Sequence, residues 1–145
     1  DNVINPVDTI LDRKREPDAI TWVKDWWLAT ANEGDYEDEN GESHFRDIEI
    51  EWAEERNFSK YSARMPANGI IFRETSGDYD LDWHPAPRRQ YIVNLDAGVK
   101  ITASDGESRE IKAGEIILVE DLTGKGHLSQ SVGGQLRHSL FIPVE

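Results

Sequence analysis

From His44 onward, apolar and polar residues alternate in short runs, and each run ends in turn chemistry. HFRDIEIEW places apolar side chains at Phe45, Ile48, Ile50 and Trp52, with one slip near Arg46 that a bulge would absorb. FSKYSARM, GIIFRET, RRQYIVNL, GVKITAS, REIKAGEIILVED, HLSQSV and LRHSLFIPV follow. Between them stand PANG, TSGDYD, LDAG, SDGES, KAGE and VGGQ, each with the Gly, Asp or Asn that a tight connection needs. About eight strands at short, regular spacing predict an all-β sandwich or barrel. A parallel α/β fold is disfavoured, because no helical stretch separates these strands.

The first forty residues follow another period. Asn5 before Pro6 is an N-cap and first-turn pair, and predicts a short helix to about Arg13. In DAITWVKDWWLATANEG, Ile20, Val23, Trp26 and Trp27 fall at helical spacing, and Gly34 stands where a helix would stop. The expected organisation is a helical extension with an acidic loop over residues 1–43, then one β-domain over residues 44–145. Trp22, Trp26 and Trp27 would pack this extension on the outside of the domain, or serve as a lid or a dimer contact.

A chain of 145 residues can bury the core of one domain. Its 29 acidic against 16 basic residues give a formal charge of -13, which argues against nucleic acid and anionic membranes as partners. The acids are densest in GDYEDENGE, Gly34 to Glu42, which reads as an exposed loop. With no cysteine, a disulfide framework and a thiolate metal site are both excluded. No apolar run reaches membrane-spanning length. The chain opens on Asp1 with no signal-peptide pattern, so further residues are expected upstream, and the default location is cytoplasmic.

Candidate chemistry centres on four histidines: His44, His84, His127 and His138. His84 and His127 each follow a turn and open toward a strand, a placement from which side chains of distant sequence can converge on one cavity. In LRHSLFIPV, Leu136, His138, Leu140 and Ile142 share one face, which makes His138 a third inward candidate or a hydrogen-bonded histidine at the core edge. Asp121 and Glu120 precede His127 closely enough to orient its ring, and Lys125 could hold an anionic oxygen. Asp121, Thr123, Gly124 and Gly126 would equally build a tight turn. Arg73, Arg88 and Arg89 are candidates to grip a carboxylate or, in so acidic a chain, to form structural ion pairs. Tyr79, Trp83 and Tyr91 would line an entrance or pack the sheets.

The C-terminal half, from about Gly69 to Glu145, resembles the cupins, a family of small jelly-roll β-barrels. Gly77 leads to His84, with Ala86 where the family's second histidine stands, Gln90 where its glutamate stands, and Gly98 near the closing glycine. Gly114 precedes the strand EIILVE, and the turn DLTGKG delivers His127. HPAPRRQYIVNL, the EDxxGKGH turn and the ending RHSLFIP are similar to a largely uncharacterised cupin group. The resemblance implies a jelly-roll barrel whose cavity holds a small molecule. It also implies one divalent ion (iron, manganese, nickel or zinc), or none, on a depleted ligand set of His84, His127, Gln90 and His138. Catalysis would fall to His84 and His127, with Arg73, Arg88, Gln90 and Lys125 binding substrate. Two functions stay open. One is an enzyme acting on a small organic substrate, metal-dependent or by acid–base chemistry; the other is a non-catalytic protein that binds or senses a small organic anion. Exposed sheet edges and the aromatic extension predict a homodimer.

Overall fold

The computed structural model describes residues 19–23 and 41–144. Twelve strands are present among them: β1 Ala19–Val23, β2 His44–Asp47, β3 Trp52–Arg56, β4 Ser59–Ser62, β5 Ile71–Thr75, β6 Asp80–His84, β7 Gln90–Asn94, β8 Val99–Ala103, β9 Ser108–Ile111, β10 Ile116–Val119, β11 His127–Ser131 and β12 Arg137–Pro143. They form a six-stranded sheet in the order β2-β1-β10-β7-β12-β5, a four-stranded sheet in the order β6-β11-β8-β9, and the hairpin β3-β4. Every pairing is antiparallel except β1 with β2. The described residues are therefore all-β, as the alternating pattern predicts.

The main core draws on both large sheets. Ile20, Phe45, Ile117 and Val119 come from the six-stranded sheet, and Val99, Ile101, Ala103 and Ile111 from the four-stranded one. Burying each Ile, Val or Phe of this set contributes about 1.5–3 kcal/mol, which holds the sheets face to face. Ile48, Ile50, Met65, Tyr91 and Ile116 form a smaller second cluster. The KAG turn after β9 passes the chain from one sheet to the other, since β9 pairs with β8 and β10 with β7 and β1.

Two expectations from the sequence are corrected here. Residues 19–23 form a strand, not part of a helix: Ile20 pairs with Val119 on one side and Phe45 on the other, so the strand lies inside the sheet. AITWV is rich in β-branched and aromatic residues with weak helix propensity, and two neighbouring strands supply the hydrogen bonds, so pairing overrides the helical spacing. The rest of that predicted helix, the helix to Arg13 and most of the acidic loop lie outside the described residues. The slip near Arg46 is also no bulge. The strand ends at Asp47 and resumes at Trp52, and Arg46 turns inward to join a buried ion-pair cluster. Its guanidinium meets Glu120 at 3.1 Å, and Arg89 meets the other oxygen of Glu120 at 2.8 Å. Arg89 thus makes the structural ion pair.

The β3-β4 hairpin closes through Asn57 and Phe58, which have φ of 51° and 62°. Two consecutive left-handed residues between Arg56 and Ser59 match the turn type that favours Asn-Gly. Phe58 takes that conformation while its ring is fully exposed, so it carries the Cβ penalty with no packing to offset it. Phe58→Gly is expected to stabilise the protein by about 1 kcal/mol, read as a higher denaturant midpoint at unchanged slope. A lower midpoint would show that the ring packs in solution.

Candidate functional site

The alternation of the strands builds a cavity of about 380 Å³ between the two large sheets. Along β7, Gln90, Ile92 and Asn94 face it, while Tyr91 and Val93 face the opposite side. Along β12, Arg137, Ser139 and Phe141 face it. Arg73 enters from β5, His84 from β6, and His127 and Ser129 from β11. Polar side chains here interrupt an otherwise apolar interior, and each needs a partner or a ligand.

His84 and His127 meet at one part of this cavity. They are register partners on β6 and β11, and their ring centroids lie 4.4 Å apart. Gly126 makes this approach feasible: its φ is +72°, and a Cβ there would sit 2.1 Å from the carbonyl oxygen of His84. The Nδ1–H of His84 donates to the carbonyl of Asp82 at 2.6 Å. The Nδ1 of His127 faces the Asp121 carboxylate at 2.5 Å. In the neutral rings both Nε2 atoms then carry the free lone pair. Asp121 is completely buried. Burial pushes its carboxyl above the usual carboxylate range, and the hydrogen bond from His127 opposes that shift. The Asp121 carbonyl also accepts from the Ala86 amide at 2.9 Å, which ties the turn before His127 to the segment after His84.

A pair of guanidinium groups occupies another part. Arg137 is only 5% exposed, and its Nε and Nη1 have no hydrogen-bond partner. Arg73 and Arg137 both lie over the Tyr79 ring, at 5.5 and 5.6 Å from its centre, and Arg73 also lies 5.0 Å from the centre of Phe141. The hydroxyl of Tyr79 bonds Ser129 at 2.9 Å. Neither Arg73 nor Arg137 has a carboxylate within ion-pair distance among the described residues. Burial and the neighbouring Arg73 push the guanidinium of Arg137 below its usual range, with Tyr79 opposing. Arg137 is the functional candidate that the sequence reading missed. Its signal was the inward–outward alternation of RHSLFIP, which runs one residue out of step with the face assigned to it.

That same register corrects His138. It lies on the other face from Arg137 and Ser139, where it is clamped between Asp96 at 2.5 Å and Glu74 at 2.9 Å. His138 is therefore no partner of His84 and His127. Lys125 is also corrected: it does not line the cavity and instead pairs with Glu42 at 2.9 Å on the exposed surface. Gln90 and Arg88 both line the cavity, and Arg88 donates to the Gln90 side-chain oxygen at 3.1 Å. Of the aromatic candidates, Tyr79 lines the cavity and Trp83 is exposed. Tyr91 lies on the far face of its sheet, where its hydroxyl approaches Met65. His44 is buried on β2 and outside the cavity lining.

The residues present do not fit a divalent ion. The four-member ligand set is not assembled, because His138 is elsewhere and the Gln90 oxygen is taken by Arg88. Among the described residues no group of three or more His, Asp or Glu is placed to hold a metal. Two imidazoles remain, facing a cavity that three arginines make positive, and no carboxylate lines that cavity to ligate a dication directly, since Asp121 lies behind the His127 ring on its Nδ1 side.

The charge state of His138 can be checked directly. Hydrogen bonds that its ring N–H groups donate, first to Asp96 and then to Glu74, raise its pKa above the usual histidine value. The folded pKa exceeds the unfolded one, so the contribution to stability is complete below the unfolded pKa and is lost as pH rises through the folded pKa. An NMR titration should place His138 above 6.5, with Asp96→Asn lowering it. An unshifted titration would mean that the clamp does not form in solution.

No family model matches this chain, and no curated protein matches it. Among solved structures, a Neisseria meningitidis protein aligns over 53% of this chain and 75% of its own, at 19% identity and a TM-score of 0.41. A conserved Streptococcus pyogenes protein of unknown function aligns over 58% of this chain and 69% of its own, at 18% identity and a TM-score of 0.42. Among the described residues no helix is long and apolar enough to cross a membrane.

Proposed function

We propose that this protein is a cupin-type jelly-roll enzyme that holds a small organic anion between Arg73 and Arg137 and moves a proton with His127. The observation that carries the reading is Arg137, a buried guanidinium aimed into a cavity with two unpartnered nitrogens. A buried charge without a counter-charge is costly, and an anionic ligand relieves that cost. Further support comes from the pairing of His84 with His127 and from Asp121, which holds the Nδ1 side of His127 so that Nε2 can take up a proton. The chemistry that suits this set is removal of a proton from the carbon beside an acid or carbonyl group. The electron pair moves onto the oxygen, which the guanidinium groups stabilise, and His84 or His127 returns a proton. Such a step is redox-neutral and needs no co-reactant.

The test begins with binding of small organic acids, followed by proton exchange in D2O monitored by NMR. Binders are expected to exchange the hydrogen next to the acid group in the presence of the wild type. His127→Ala should slow exchange by about 100-fold while binding persists. Binding without exchange would support a non-catalytic anion-binding protein instead. Binding of no organic acid would overturn the reading.

A further inference from the structure

The cavity is charged at two separate places, and along the six-stranded sheet the side chains between them are apolar. Register fixes the arrangement along β12 and β7. Ser139 pairs with both Arg73 and Asn94, Phe141 pairs with Ile71 and Ile92, and Pro143 pairs with Gln90. Arg73 thus sits at the Asn94 level of β7 and Arg137 two residues beyond it, opposite Thr75, while Arg88 sits at the Gln90 level through its hydrogen bond to that side chain. Those levels are four residues apart, about 13 Å along an extended strand. Ile71, Ile92 and Phe141 occupy the wall between them, all lining the same cavity. Hydrocarbon fits that middle, and acidic groups fit the two ends.

We infer that the ligand is a dicarboxylate with an acid group at each end of an apolar chain. This rests on the anion-binding reading above and extends it to the second acid. Arg137 and Arg73 take one carboxylate, and Arg137 supplies the donors that have no protein partner. Arg88 takes the other. Its present partner is the neutral oxygen of Gln90, and a carboxylate displaces it because a carboxylate adds a full counter-charge and can accept two parallel N–H bonds from the guanidinium. The cation at each end also selects length: a short acid reaches one end only, and a chain that spans both gains two ion pairs. The histidine pair lines the same cavity, so a bound chain lies beside the two free Nε2 atoms.

Calorimetry with two matched series tests this. The first is succinate, glutarate, adipate and pimelate; the second is the monoacids of equal carbon number. At least one diacid is expected to bind tenfold or more tightly than its monoacid partner. Arg88→Ala should abolish that advantage while changing monoacid affinity by less than about twofold, with Arg88→Gln as a second variant and an unchanged melting midpoint as the check on folding. If every monoacid binds as tightly as its diacid, or if Arg88 variants retain the preference, the two-ended ligand is wrong and the anion site at Arg137 stands. If neither series binds, the anion-site reading itself fails, and this inference with it.

Discussion

Arg137→Met is expected to weaken organic-acid binding by about 100-fold and, in the same protein, to stabilise the ligand-free fold. Both effects have one cause. In the free protein the guanidinium is buried, with two nitrogens unpartnered and Arg73 as a like-charged neighbour over the same Tyr79 ring. Leaving buried donors unsatisfied costs about 1–3 kcal/mol, and methionine of similar reach removes that cost while filling the space. With the ligand bound, those same donors make charge-assisted bonds, and truncating one side of a buried charge pair typically costs about 2–5 kcal/mol, so about 100-fold lies toward the lower end of that range. Thermal melting without ligand and calorimetry with it separate the two arms. A structural arginine behaves oppositely, losing stability on replacement, as Arg46 or Arg89 around Glu120 would. If Arg137→Met melts lower and binds organic acids normally, Arg137 belongs to the scaffold.

Gly126→Ala is expected to lower stability by about 3 kcal/mol and to separate the two histidines. Left-handed backbone alone costs alanine roughly 1 kcal/mol relative to glycine. The larger part is steric. A Cβ at Gly126 would lie 2.1 Å from the His84 carbonyl oxygen and 2.5 Å from the Pro85 nitrogen, and both are backbone atoms that cannot swing away. Strands β6 and β11 must therefore part just where His84 pairs with His127. Gly106→Ala provides the control, since its φ of +99° is also left-handed but nothing lies within 4 Å of its Cβ. In a domain of this size about 3 kcal/mol corresponds to roughly 6–12 °C in melting temperature, against about 2–4 °C for the control. Equal losses in the two variants would show that the approach of Gly126 to His84 is looser in solution.

The primary structure by itself determined the class of fold. Alternating apolar positions and Gly, Asp and Asn at the breaks specify antiparallel strands, because side chains of a strand point to opposite faces at every second residue. Residues 80–84 escaped that reading: Asp80, Asp82 and an exposed Trp83 show no buried face, yet they form β6 because β11 is there to pair with them. β1 escaped it for a related reason, since apolar residues three apart suit a helix until two strands offer their hydrogen bonds. The motif residues His84 and His127 were legible as candidates, but their 4.4 Å separation depends on strand pairing across distant sequence.

Phase was decided only by the tertiary structure. In RHSLFIP the alternation is plain, but a period of two cannot say which half of the residues faces inward. Pairing of β12 with β5 and β7 turns Arg137, Ser139 and Phe141 into the cavity and leaves His138 to Asp96 and Glu74 outside. Charge pairing was settled in the same way. The sequence offered Arg73, Arg88 and Arg89 as equivalents among many carboxylates, and a carboxylate partner is a matter of a few ångströms in space. Glu120 reaches Arg89, whereas no carboxylate among the described residues reaches Arg73 or Arg137.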